Sequence, residues 1–329
     1  LEIDMSSYKK TCEVIADECL GIKKNEKVVI ITDINKRRIG QELFWYIQSK
    51  ADTVLLEIPP GSRNGEEPPE SSLHLLMNAD VIIAPTTMSL SHTRAFVNAR
   101  KNGARVASLP GITEEMFLRS IVLNYEKMKN LTEKLEKIFR NKNEVIVQTK
   151  KGTNVKFSIK NRKPMALDGI CKQKGGFINL PDGEMCIAPL EDSMNGLLVF
   201  DLSISPDHKT KWGIGGLLKN ELVKVQVSAG KITEISGGKK AKVMKNVIYS
   251  ADSNASTIAE FAIGTNEKAK ITGFILEDEK KLGTIHFAFG SNVSLGGVNQ
   301  SNLHLDAIMD KADIFVDGKS IMTNGKLLI

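Results

Sequence analysis

At 329 residues the chain is long enough for two domains, and a hydrophobic fraction of 41% can fill a core in each without disulfide or metal staples. The formal charge of +6 comes from 45 basic and 39 acidic residues interspersed along the chain. The densest basic stretch, Lys127 to Lys142, alternates with Glu126, Glu133 and Glu136 at helical spacing, a solvated helix face and not a nucleic-acid footprint. No stretch approaches the roughly 20 apolar residues that span a bilayer, and Leu1 to Lys10 lacks the apolar run of a signal peptide. Cys12, Cys19, Cys171 and Cys186 form no C-x-x-C pair, which predicts reduced thiols in a cytoplasmic protein. The charge pattern and the lack of a long apolar stretch predict neither nucleic acid nor membrane as partner.

The first part of the chain alternates strand and helix patterns. Lys27 to Thr32 is an apolar run after a turn, and Lys36 to Ser49 carries Ile39, Leu43 and Ile47 on one helical face. Thr53 to Ile58 is a second strand, closed by Pro59-Pro60-Gly61; Asp80 to Ala84 and Arg105 to Leu109 are the third and fourth. Such alternation predicts an α/β N-terminal domain with a parallel sheet, residues 1–142. The turn after the first strand, Asp33-Ile34-Asn35-Lys36-Arg37, has no glycine, so neither a dinucleotide fingerprint nor a P-loop is present.

A long charged helix over Asn124 to Arg140 leads into residues 143–329, predicted to be a β-rich α+β domain. Glu144 to Gln148 and Val155 to Ile159 read as a hairpin. Short apolar runs follow at Leu197 to Leu202, Leu222 to Val227, Lys231 to Ile235, Ile271 to Leu276, Ile314 to Val316 and Lys326 to Ile329, with one helix predicted at Asn254 to Ala262.

Four clusters in this half put a polar group where an ordinary strand or turn is expected. A Pro181-Asp182-Gly183 turn delivers Glu184 into the run Met185 to Ala188. Glu260 stands at the end of the predicted helix, before Gly264-Thr265-Asn266. His286 alternates with Ile285 and Phe287, so it faces away from them. His304 and Asp306, two apart between Leu303 and Leu305, present an imidazole and a carboxylate on one strand face. Each taken alone also reads as structure. Together, two histidines and three carboxylates without a thiolate form a nitrogen and oxygen donor set suited to a catalytic zinc, cobalt or manganese, and five ligands with a bridging carboxylate allow two divalent ions.

At these clusters the sequence resembles the M29 metallo-aminopeptidases. The resemblance runs through Gly183-Glu184 with Ala188-Pro189, Glu191, Ser193 and Asn195-Gly196, then Glu260 with Gly264-Thr265-Asn266, Gly283-Thr284 with His286 and Gly290, and His304-Leu305-Asp306. It implies a cocatalytic two-metal site with Glu184, Glu260, His286, His304 and Asp306 as ligands, the glutamates being catalytic as well. It also implies a homodimer hydrolysing unblocked peptide N-termini or a related amide. The chain departs from that family in having no tyrosine between His286 and His304, where the aminopeptidases carry one thought to assist catalysis. The sequence is similar in addition to the ring-cleaving dihydroxypyridine dioxygenases, which hold one Fe(II). That resemblance makes His286, His304 and Asp306 a two-histidine, one-carboxylate triad. A non-catalytic binding descendant of the same fold is the third alternative.

Overall fold

The computed structural model describes residues 5–205 and 216–329, which cluster into two compact units. The first comprises residues 1–125 and 168–182, the second 126–167 and 183–329. The division therefore falls at the first residue of the long helix Tyr125–Phe139 rather than following the helix at residue 142, and a later segment returns to the first unit.

The first unit is the α/β domain the sequence predicts. Its sheet has five parallel strands, β1 Lys27–Asp33, β2 Asp52–Ile58, β3 Val81–Ala84, β4 Arg105–Ser108 and β5 Phe177–Asn179, in the order β2-β1-β3-β4-β5. β3 and β4 are wholly buried and β1 nearly so, which explains their unbroken apolar runs. Asp33, at the end of β1, accepts hydrogen bonds from the amide and hydroxyl of Thr87, while Arg37 forks onto Glu57. Both residues are thus engaged within the scaffold.

The loop before β1 is fastened to β4 by Arg105, whose guanidinium donates to both oxygens of Glu26 at 2.8–2.9 Å and to the Leu20 carbonyl at 3.2 Å. The guanidinium hydrogen bonds hold the Glu26 carboxyl below its ordinary value against the opposing effect of burial. A lowered folded-state value means that the pair's contribution is complete above the ordinary carboxylate pKa and disappears as pH falls through the lowered one. Glu26→Gln is expected to cost about 1.5–3 kcal/mol at pH 7, and acid should close the gap to the parent. Urea titrations at pH 7 and pH 3.5 measure both.

The second unit is β-rich, as the sequence predicts, and is built as a sandwich of two sheets. One antiparallel sheet runs, edge to edge, through Lys231–Gly237, Val223–Ser228, Asn195–Phe200, Asn154–Ser158, Glu144–Thr149, Ala312–Val316, Lys319–Thr323 and Lys326–Leu327. The other contains the strands that carry the polar clusters: β6 Glu184–Ile187, β7 Ile258–Gly264, β8 Ile285–Gly290 and β9 His304–Met309, in the order β9-β8-β7-β6. Phe157 of the first sheet packs its ring 5.4 Å from Phe261 and 5.9 Å from Phe287 of the second. The core between the sheets also takes Met185, Ile187, Ile263, Phe289, Leu305, Ala307 and Met309.

Two expectations are corrected here, and one element is added. Residues 258–264 form strand β7 and not a helix. Ile258 and Phe261 both enter the core because a β-bulge lies between Ile258 and Glu260, and the resulting three-residue spacing mimics a helical period. Ile271 to Leu276 is no strand: Asp278 captures the amides of Thr272 and Gly273, and Ile275–Asp278 is a short helix. Lys239–Ala251 is a helix the sequence analysis left unassigned, with Ala241, Met244, Val247 and Ile248 buried beneath a lysine-rich outer face.

Candidate metal centre

Strict alternation on β6, β8 and β9, and the bulge on β7, decide which side chains meet. Since Met185, Phe261, Phe287, Leu305 and Ala307 fill the core, Glu184, Glu260, His286, His304 and Asp306 all project from the opposite face of the same sheet. Without the bulge Glu260 would share the face of Ile258 and point into the core. The register places Glu260 opposite Ala288 and Ala288 opposite Asp306, so an alanine separates the two carboxylate-bearing positions of one row. Ala262 lies between Cys186 and His286 in the next row, and Gly290 faces His304. Small residues in the middle of the patch let the longer polar side chains converge above them.

All five residues named from the sequence come together. Donor atoms lie within 4.8 Å of one another in three overlapping groups: Glu184, Glu260 and His286; Glu260, His304 and Asp306; and Glu279, His286 and Asp306. Glu279 is a donor the sequence analysis missed; the cation beside it, Lys280, was missed as well. The two histidines belong to no common group, so Glu260 and Asp306 link their halves.

The centre has an outer and an inner lobe. In the outer lobe His304 Nε2 stands 3.1 Å from Glu260 Oε2 and 3.4 Å from Asp306 Oδ1, and the His304 side chain is 37% exposed. His304 Nδ1 lies 2.8 Å from the Ser291 carbonyl oxygen, which can only accept. Nδ1 therefore carries a proton and Nε2 is the nitrogen turned to the carboxylates, the usual second contact of a metal-ligating histidine. In the inner lobe His286 Nε2 is 3.7 Å from both Glu184 Oε2 and Glu260 Oε1, beyond hydrogen-bond reach. Lys280 Nζ is 2.6 Å from Glu184 Oε1 and 2.8 Å from Glu279 Oε1.

Electrostatics separate the carboxylates. Burial pushes Glu184 up to about 8 against the pull of the Lys280 ammonium, and it raises Glu279 as well. Burial acts upward on Glu260 too, but His286 and His304 overcome it and hold that carboxyl below its ordinary range. The histidines are raised in turn, His286 to about 9, because neighbouring carboxylates outweigh the burial that would lower them. Protons on the imidazoles thus balance the acidic cluster, and a bound cation would displace them.

A divalent ion fits this chemistry. Glu184 Oε2 and His286 Nδ1 are buried without a hydrogen-bond partner, a costly condition for a native polar atom, and in the case of Glu184 one that coordination would relieve. No cysteine joins any of the groups among the described residues. Ala288→Leu is expected to lower metal content at least tenfold by filling the space between Glu260 and Asp306 while every donor stays in place. Overpacking should cost about 1–3 kcal/mol. Elemental analysis with circular dichroism separates the two effects.

The family model described as NicX, 2,5-dihydroxypyridine 5,6-dioxygenase, matches residues 17–329. The chain belongs to this family. A 2,5-dihydroxypyridine 5,6-dioxygenase of Pseudomonas putida is 24% identical over 266 residues, covering 76% of this chain and 71% of the relative. The solved structure of the dihydroxypyridine dioxygenase from P. putida matches with a TM-score of 0.82 at 19% identity, over 99% of this chain and 98% of that one. AmpT from Thermus thermophilus matches with a TM-score of 0.71 at 16% identity, over 98% and 99%. At these identities the two structures establish a shared fold. The family match falls on the second of the two resemblances seen in the sequence, and the aminopeptidase resemblance is supported as kinship of fold. No helix among the described residues is long and apolar enough to cross a membrane.

Proposed function

We propose that the protein is a ring-cleaving dioxygenase for a small hydroxylated heteroaromatic compound, using one divalent iron. The observation that carries this reading is the family match across residues 17–329. His304, Asp306 and Glu260 would hold the ion, with His286 on its inner side; all offer the nitrogen and oxygen donors that suit non-haem iron. Iron bound there supplies the one-electron chemistry that lets dioxygen react with an electron-rich ring. The chain's own contribution is steric. The exposed edge at His304 admits the ring, beside the carboxylates of Glu260 and Asp306 that would hold the ion.

Oxygen-electrode assays of the iron-loaded protein with 2,5-dihydroxypyridine and related dihydroxylated rings test the reading. Uptake that needs Fe(II) and fails with zinc supports it; no uptake with any such ring refutes it.

A second reading has an observation of its own. The donor groups share the carboxylates Glu260 and Asp306, the pattern expected of carboxylates bridging two ions in a hydrolase. On that reading zinc, cobalt or manganese would fill the site and a peptide or amide would be the substrate. Cleavage should still be slow, since losing one oxyanion donor costs about a hundred- to a thousandfold and no tyrosine lies between His286 and His304. Leucyl-dipeptide turnover with each metal measures it. The homodimer implied by the aminopeptidase resemblance is carried as a proposal, tested by sedimentation equilibrium.

A further inference from the structure

The inner lobe contains a cation of its own. Lys280 is 1% exposed, and its ammonium lies between Glu184 and Glu279 at 2.6 and 2.8 Å. Its backbone is pinned on both sides: the amide donates to the Glu277 carbonyl, and the carbonyl accepts from Asn266. Gly264, at the end of β7, makes this delivery possible. A Cβ there would stand 2.1 Å from the Lys281 carbonyl oxygen and 2.8 Å from the Lys280 carbonyl carbon, so any larger residue would push the loop away from the sheet.

We propose that Lys280 is a built-in substitute for a second metal ion and restricts the centre to one. The inference rests on the metal-centre reading above. Glu184 and Glu279, the carboxylates of the inner lobe that Glu260 and Asp306 do not supply, both already face a tethered positive charge. An ion there would need bonds of about 2.0–2.2 Å to the same carboxylates, next to an ammonium that cannot diffuse away. In the parent Glu184 is committed to Lys280 through Oε1, and its unpartnered Oε2 is the position a second ion would take once that charge is removed. The ion pairs of Glu260 and Asp306 among the described residues run to histidines, and the outer group of Glu260, His304 and Asp306 remains the seat of the single ion. Fold kinship with a hydrolase and membership of a dioxygenase family can coexist on these terms, because a one-ion centre keeps the positions a second ion would cover.

Lys280→Met removes the charge while keeping a long apolar stem. Equilibrium dialysis of the whole chain against excess Mn(II), followed by elemental analysis, should find one ion per chain in the parent and two in Lys280→Met. In chelator the variant should melt below the parent, since buried carboxylates have lost their cation, and Mn(II) should restore its melting temperature. Lys280→Met/Glu279→Gln, which removes one carboxylate together with the cation, serves if the single variant folds poorly and should also bind two. Two ions in the parent, or one in whichever variant folds, would overturn the proposal. Ring cleavage is read from oxygen uptake, which this count does not use, so a failure of one is distinguishable from a failure of the other.

Discussion

His304→Ala is expected to strip the centre of its ion while leaving the protein folded. His304 sits at the first position of β9 with its side chain 37% exposed, so truncation opens no sealed cavity. What the side chain supplies is Nε2, between Glu260 and Asp306, oriented by the Nδ1 contact with Ser291. Loss of a second-sphere partner alone typically weakens a metal site 10–100-fold, and loss of a ligand should cost at least the upper end of that range. In chelator the melting temperature should fall by less than about 4 °C, as for a substitution worth about 1 kcal/mol in a unit of this size. A purely structural histidine would give the reverse, a large drop in melting temperature with metal content unchanged. Elemental analysis and calorimetry on one preparation decide between them.

Phe261→Ala is expected to have the largest effect on stability. The ring is fully buried and lies 5.3 Å from Phe287, 5.4 Å from Phe157 and 5.9 Å from Phe139, so it joins the two sheets and the long helix. Truncating a core phenylalanine costs about 3–5 kcal/mol through lost transfer energy and the cavity left behind. At about 2–4 °C per kcal/mol for a unit of this size, the melting temperature should drop by roughly 6–20 °C. Phe261→Leu refills much of the space and should recover more than half of the loss. The metal affinity of whatever remains folded should change little, because the ring lies on the face of β7 opposite Glu260.

How much of this was legible in the sequence varied with the physics of each residue. His304 and Asp306 could be paired because a two-residue period survives intact in β9, and Glu184 because Pro181-Asp182-Gly183 is unambiguous turn chemistry ahead of an apolar run. The parallel sheet was readable from unbroken runs such as Val28 to Ile31, buried on both faces. Glu260 was found as a donor but assigned to a helix: the bulge that re-aims it also breaks the strand period, and nothing local distinguishes a bulge from a helical turn. Glu279 and Lys280 were missed because Asp278-Glu279-Lys280-Lys281 looks like a solvated charge run. Their burial depends on Gly264 admitting the loop, a contact between positions more than a dozen residues apart. The helix Lys239–Ala251 was obscured in the same way, its buried stripe diluted by four lysines.

The central claim is that this centre directs dioxygen into a ring instead of water into an amide. The most direct measurement is turnover of the Fe(II)-loaded protein on 2,5-dihydroxypyridine under isotopically labelled dioxygen, with mass spectrometry of the product. The expected result is a ring-opened product carrying both atoms of one labelled molecule, with one iron per chain. Label-free product whose new oxygen comes from solvent, or an intact ring alongside brisk metal-dependent cleavage of leucyl dipeptides, would contradict it.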